Sequence, residues 1–249
     1  MSEFYIGYLP NAPRAICQRV RLAVLAIFVL TAAGALLFAA SQSDFADSNF
    51  DFGKPSEFAG IIIQQPFPSL LVADPANPGG PATWYLLCAS GKQGADTLIE
   101  GFTGENVRLN GTLIHREEGR MIELIPGSLS TVSVAPARSA ATRNRGEFTL
   151  RGEIVDTKCF LGVMNPGDGK VHRDCAARCL SGGIPPALLT SDLDGSSKIL
   201  LLTNSVGQPL PKSAFLQLVG QPVRVRGRVL ESDGLYYLRA SPEAVEALP

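Results

Sequence analysis

The chain has 249 residues and a formal net charge of −1 at pH 7, because 22 lysines and arginines stand against 23 aspartates and glutamates. This balance excludes the strong basic surplus that is typical of nucleic-acid-binding proteins, and we expect no nucleic-acid partner. Its 25 glycines and 18 prolines favour β structure and turns.

The N-terminal region predicts a cytoplasmic segment (1–21) followed by one transmembrane helix (22–40). Residues 22–40 carry no charge and are about as long as a helix needs to cross the hydrocarbon core. Three arginines precede this stretch and three aspartates follow it: Arg14, Arg19, Arg21, Asp44, Asp47 and Asp51. The positive-inside rule therefore predicts a single-pass protein of a bacterial inner membrane, with the bulk of the chain in the periplasm. A cleaved signal peptide is the alternative, although its apolar region is usually only about 7–15 residues long.

The segments on either side of the span suggest what it contacts. Before it, Tyr5 and Tyr8 suit the inner membrane interface, and we expect this segment to pack against another membrane protein. After it, residues 41–56 are polar and acidic and are predicted to be a tether. The expected partners are therefore membrane lipid, through the helix, and an integral membrane protein complex.

The rest of the chain contains an internal repeat. Gly104-Glu-Asn-Val-Arg-Leu-Asn-Gly111 is matched by Gly220-Gln-Pro-Val-Arg-Val-Arg-Gly227, and Phe58-Ala-Gly60-Ile is matched by Leu150-Arg-Gly152-Glu. The offset is 92 residues between Gly60 and Gly152 but 116 between Gly104 and Gly220, so the second copy carries 24 additional residues. These fall in the interval that holds most of the cysteines.

Each copy is predicted to be a small β domain. The glycine–valine strand pattern with a charged hairpin resembles five-stranded Greek-key barrels of the OB type, although SH3-like barrels and small sandwiches have similar strings. The fold class is therefore mainly β: an N-terminal transmembrane helix followed by two tandem OB-like barrels. The predicted ranges are a first domain (57–126), a linker (127–146) and a second domain (147–249) with an inserted Cys/His loop (157–190).

The inserted loop holds the candidate metal ligands Cys159, His172, Cys175 and Cys179. Residues 171–180 are predicted to form a short helix, which would place the last three ligands on one face. Cys159 follows a predicted strand and could reach that face. Asp156 and Asp174 are candidate acceptors for the imidazole, and Met164 is a further soft donor.

Three interpretations of the cluster remain open. The four residues match the ligand types of a Cys3His zinc site, and thiolates would equally suit copper(I). A disulfide is the second, because Cys88, Cys159, Cys175 and Cys179 are an even number in an oxidising compartment. A reactive redox thiol is the third. In reverse order, the cluster also resembles the Cys-x3-Cys-x3-His-x2-Met run of the binuclear copper sites in cytochrome oxidase subunits.

Other motifs for catalysis or cofactor binding are absent from the sequence. It lacks a phosphate loop, a dinucleotide fingerprint, a metalloprotease motif and the Cys-x2-Cys-His of c-type haem attachment, so we expect no enzyme, no nucleotide and no such haem. Arg224, Arg226 and Arg228 alternate with valines and form a candidate docking stripe for a partner. The sequence thus predicts a periplasm-facing accessory or assembly subunit of a membrane complex, for example a respiratory one; the alternative is a periplasmic metal-handling or thiol-redox protein.

Overall fold

We describe the protein from a computed structural model, in which residues 12–42, 47–74, 76–77, 80–132 and 141–248 are described. The chain divides into two units, residues 1–45 and 46–249, and each is described by itself. Tyr5, Tyr8 and Asp44 lie outside the described residues.

The first unit contains helix α1 (Arg14–Ala40). The helix begins eight residues before the apolar stretch (22–40), because the residues in between include arginines, which are good helix formers. None of its residues is buried within the unit. The helix is long and apolar enough to cross a membrane. An N-terminal signal sequence has the same length and composition, so these properties do not distinguish the two.

The second unit begins with a closed five-stranded barrel, built from β2 to β6. Its strands follow the order β5-β2-β3-β4-β6, and β6 pairs again with β5 to close the sheet. Strands β4 and β6 run parallel. Two short strands, β1 and β7, pair with β5. The bounds are β1 Ser48–Phe50, β2 Ser56–Ile63, β3 Ser69–Val72, β4 Thr83–Cys88, β5 Asn106–Arg116, β6 Gly119–Leu124 and β7 Ser130–Thr131.

A second closed barrel follows with the same strand order, β11-β8-β9-β10-β12, closed by β11 and β12. Strands β10 and β12 are parallel, as β4 and β6 are, and β13 pairs with β11. The bounds are β8 Thr142–Asp156, β9 Pro186–Thr190, β10 Lys198–Thr203, β11 Pro222–Ser232, β12 Leu235–Arg239 and β13 Val245–Ala247. Short 3-10 turns are Lys212–Ala214, Leu216–Leu218 and Pro242–Ala244.

Strand register supports the internal repeat. Gly60 pairs with Val107 in the first barrel, and Gly152 pairs with Val223 in the second. Both glycines are required by close packing. A methyl group at Gly60 would lie 2.5 Å from the carbonyl oxygen of Leu71 on β3, and one at Gly152 would lie 2.0 Å from that of Leu189 on β9. The matched sequence positions therefore occupy matched places in the two barrels.

Several strands begin inside stretches that the sequence predicts to be connections. Strand β1 lies within the predicted tether (41–56), and β8 begins at Thr142, within the predicted linker (127–146). Residues 133–140 of that linker lie outside the described residues. Strand β9 begins at Pro186, so the connection from β8 ends before the predicted limit of 190.

The first connection of each barrel is where the two copies differ. Residues 64–68 join β2 to β3, whereas residues 157–185 join β8 to β9. The longer connection contains a π-helical turn (Cys159–Val163) and helix α2 (Arg173–Ser181). It packs between the barrels, because one buried apolar cluster combines Cys88, Ile114 and Met121 of the first barrel with Cys159 and Cys179 of the connection.

A buried cysteine and histidine cluster between the barrels

The predicted ligands come from two pieces of the long connection. Cys159 opens the π-helical turn just after β8, and Asp156, the last residue of β8, accepts a hydrogen bond of 2.8 Å from its amide nitrogen. His172 immediately precedes α2, and Cys175 and Cys179 lie on that helix. This hydrogen bond links the end of β8 to the start of the turn.

The structure brings these side chains together around Cys159. The ligand atoms of Cys159, His172 and Cys175 all lie within 4.8 Å of one another, and so do those of Asp156, Cys159 and Cys179. Cys159, His172 and Cys179 are almost fully buried, and Cys175 is half-buried. Either group of three could hold a metal ion, and the two groups share Cys159; Cys179 does not share a group with His172 or Cys175.

The distance between the sulfurs of Cys159 and Cys179 fits two reduced thiols or two ligands of one metal ion, and is too long for a disulfide bond. The five cysteines are free thiols, and the Sγ atoms of Cys159 and Cys179 lie 3.9 Å apart. Two sulfurs at about 2.3 Å from one tetrahedral zinc ion stand about 3.8 Å apart, which is close to the distance found. A disulfide bond would require about 2.05 Å.

Asp156 orients the histidine. Its Oδ2 atom lies 3.1 Å from Nε2 of His172, and the two side chains are 0% and 4% exposed. Both carboxylate oxygens of Asp156 are therefore engaged, one with the imidazole and one with the amide of Cys159. A carboxylate bound to one ring nitrogen leaves the other nitrogen as the donor to a metal, as is usual for histidine ligands. Asp174, the other candidate acceptor, is exposed on α2.

A cation from the first barrel reaches the cluster. Lys92 lies in the connection that follows β4, and its ammonium donates hydrogen bonds to Sγ of Cys175 at 2.7 Å and of Cys179 at 3.6 Å. The bond to Cys175 raises the pKa of Lys92. Lys92 is not among the residues predicted from the sequence, since nothing near position 92 indicates a contact with residues more than eighty positions away.

The pKa values of the two buried thiols, Cys159 and Cys179, shift in opposite directions. A hydrogen bond donated by the thiol of Cys159 lowers the pKa of Cys179 to about 7, and the Lys92 ammonium acts in the same direction. The same hydrogen bond, together with burial, raises the pKa of Cys159. Without a metal, Cys179 is therefore the member of this pair that ionises first.

A buried lysine joins the same connection to the first barrel. Lys158, 2% exposed, pairs with the carboxylate of Glu123 at 2.5 Å and donates to the carbonyl oxygens of Ala89 and Gly91. Its charge is thus fully compensated. This contact was also missed, because an isolated Asp-Thr-Lys-Cys string does not reveal a partner.

The predicted arginine stripe lies on β11, where the valines on the opposite face, Val223, Val225 and Val229, are buried. Arg224 and Arg228 pair with Glu246 and Glu147 at 3.9 and 2.9 Å. Arg226 is exposed. The stripe is therefore less basic than its sequence indicates, because acidic neighbours on β8 and β13 offset two of its three charges.

A separate cleft of about 1030 Å³ also lies between the barrels. Its lining includes Trp84, Arg116 and Glu117 from the first barrel and Lys198 and Tyr236 from the second. Arg116 is already engaged, stacking 4.0 Å over the ring of Phe160. Charges of both signs line the cleft and indicate no particular class of ligand.

Comparison of the chain with protein-family models, with curated proteins and with solved structures found no match.

Proposed function

We propose that this protein is a membrane-anchored accessory or assembly subunit in which a structural zinc site, formed by Cys159, His172, Cys175 and Cys179, stabilises the connection that packs between the barrels. The observation that carries the proposal is the convergence of these donors around Cys159, in the connection that packs between the two barrels. A closed zinc site with four protein ligands contributes folding free energy and needs no substrate position.

Burial favours a structural site over a catalytic or metal-transfer one. Three of the four ligands are almost fully buried, and the fourth, Cys175, is covered by the ammonium of Lys92. A catalytic or transfer site needs an open coordination position, for which this arrangement leaves little room. The long connection would then act as a rigid element that a partner can recognise.

Zinc suits the donors better than copper(I), the alternative metal. Three thiolates and one imidazole form a common tetrahedral zinc set, and the carboxylate of Asp156 provides the outer hydrogen bond such a histidine usually has. Thiolates and imidazole also suit copper, so the ligand types alone do not exclude it. The combination of a Cys3His set with a carboxylate behind the imidazole is typical of zinc and carries the preference.

The proposed setting is a bacterial inner membrane, with α1 as the anchor, the barrels in the periplasm and an integral membrane complex, such as a respiratory complex, as the partner. The length and composition of α1 and the arginines that precede its apolar part support this orientation. We also propose that both barrels are OB-type. In each, the first strand pairs with the second and fourth, and the third runs parallel to the fifth, which is the arrangement of an OB barrel.

Thiol-redox activity is the second candidate. The sulfurs of Cys159 and Cys179 are 3.9 Å apart, and the pKa of Cys179 is lowered to about 7. A small movement would bring the pair into bonding distance. Such a protein would cycle between a dithiol and a disulfide and would carry no metal.

Metal analysis of the full chain, extracted in detergent and purified without oxygen, tests the proposal. We expect about one zinc ion per chain, lost in a Cys159→Ser variant and kept in Cys17→Ser, whose cysteine lies on α1. If copper is found in place of zinc, the proposed metal site is correct but the proposed metal is wrong. A metal-free protein with a reversible Cys159–Cys179 disulfide would overturn the zinc proposal in favour of redox activity.

A further inference from the structure

Lys92 is a cation of the first barrel that contacts the thiols of the second. We propose that it is part of the metal centre, where its ammonium hydrogen-bonds the metal-bound thiolates of Cys175 and Cys179 and makes metal affinity depend on docking of the two barrels. This inference rests on the proposed zinc site.

The position of Lys92 is set by the backbone on both sides of it. Upstream, the carbonyl oxygens of Ala89 and Gly91 accept hydrogen bonds from the buried ammonium of Lys158. Downstream, the amide of Gly94 donates to the carbonyl oxygen of Gly182 at 3.0 Å. Because the second barrel holds both flanks, the Lys92 side chain enters the cluster from a defined place.

The partners of Lys92 are sulfur atoms. Across the described ranges, its ammonium has no carboxylate within ion-pair distance, whereas the sulfurs of Cys175 and Cys179 lie 2.7 and 3.6 Å away. An ordinary surface lysine would be solvated or paired with an acid. Lys92 instead uses its charge on the thiol cluster.

Charge balance gives this contact a role. A divalent ion with three thiolates and a neutral imidazole carries a net charge of −1, the carboxylate of Asp156 beside the imidazole adds a second negative charge, and the ammonium of Lys92 offsets one of the two. Lys92 and Cys175 are only half-buried, so solvent screens part of this attraction, but a hydrogen bond from an ammonium to a thiolate is still stronger than one between neutral groups. It also lowers the electron density on the sulfurs, so the bound thiolates become less reactive.

Zinc affinity of matched lysine variants tests the inference. Lys92→Met keeps the apolar stem but removes the donor, and Lys92→Arg keeps a cationic donor. Lys54→Met is the control, because Lys54 is exposed on the same barrel. In competition with a chelator, we expect zinc affinity to fall about 10- to 100-fold in Lys92→Met, to be largely restored in Lys92→Arg and to be unchanged in the control.

Cobalt(II) substitution separates this role from a merely structural one. Loss of a hydrogen bond to sulfur should move the thiolate-to-cobalt charge-transfer band to longer wavelength in Lys92→Met, and arginine should move it back. Lys92→Gln, which keeps a neutral donor, should fall between the two and replaces the methionine variant if that one does not fold. Unchanged affinity, or reduced affinity with an unmoved band, would overturn the inference. A wild-type protein that binds neither metal would instead overturn the zinc site itself.

Discussion

The amide nitrogen of Gly94 in the first barrel donates a hydrogen bond of 3.0 Å to the carbonyl oxygen of Gly182, which ends helix α2 in the second. The two backbones are almost in contact there. A methyl group at Gly94 would lie 2.6 Å from the carbonyl oxygen of Gly183, and one at Gly182 would lie 1.8 Å from that of Lys92. We call this contact between Gly94 and Gly182 the joint between the barrels. Both positions require glycine, because neither has room for a side chain.

Gly182→Ala should force the two backbones apart at this joint. Its φ angle of −78° is acceptable for alanine, so the effect is purely steric. We expect a loss of about 1–3 kcal/mol in the free energy of unfolding, as is usual for overpacking, together with weaker zinc retention. Chemical denaturation and chelator competition measure the two effects. Arg178→Ala, exposed on the same helix, is the control; if both variants behave alike, the proposed joint is wrong.

Lys158→Met should destabilise the protein more strongly. The variant leaves the carboxylate of Glu123 and two carbonyl oxygens without their buried partner. Removing one member of a buried ion pair typically costs about 3–5 kcal/mol. A Lys158→Met/Glu123→Gln double variant should recover part of this loss in denaturant titrations, because it removes the unpaired charge.

Lys198→Met is the matched control for that experiment. Lys198 pairs with Asp194 at 3.2 Å, but this pair is partly exposed to solvent and we expect little change in stability. Equal effects at positions 158 and 198 would contradict a specific role for the buried lysine.

Cys88 should be unreactive in the folded protein. It is fully buried, and desolvation raises the pKa of its thiol from 9.0 to about 12. Because the folded-state pKa lies above the unfolded one, its contribution to stability is complete below about pH 9 and is lost as the pH rises toward 12. Urea midpoints measured from pH 8 to 10 should fall more steeply in the wild type than in Cys88→Ala.

Alkylation with iodoacetamide checks the same point. At pH 8 we expect Cys88 to be modified only after denaturant is added, as measured by mass spectrometry of the digested chain. Rapid labelling of Cys88 in the native protein would show that the site is open to solvent.

Reporter fusions test the proposed orientation. Alkaline phosphatase, which is active only outside the cytoplasm, should be active when it is fused after Pro249 in a bacterial host, and β-galactosidase fused there should be inactive. Deletion of residues 22–40 should reverse both results, because the apolar segment directs export. The opposite pattern in the intact chain would refute a periplasmic location for the barrels.

Local sequence patterns were sufficient to predict the apolar helix and the two small β-barrels. Each barrel needs a glycine in its first strand, because the neighbouring strand packs too closely there for a side chain. Gly60 and Gly152 could therefore be matched from the sequence alone. That His172, Cys175 and Cys179 form one site, which helical periodicity indicated, stays a prediction, and His172 lies just before the helix rather than in it.

Only the tertiary structure decided what surrounds those residues. Lys92 reaches Cys175 across 83 positions, and Lys158 reaches Glu123 across 35, in pairs that no periodic pattern predicts. Such contacts depend on which surfaces of the two barrels face each other. That choice is made by apolar burial and by close backbone approaches such as Gly94 with Gly182, which act between distant parts of the chain and leave no local signal.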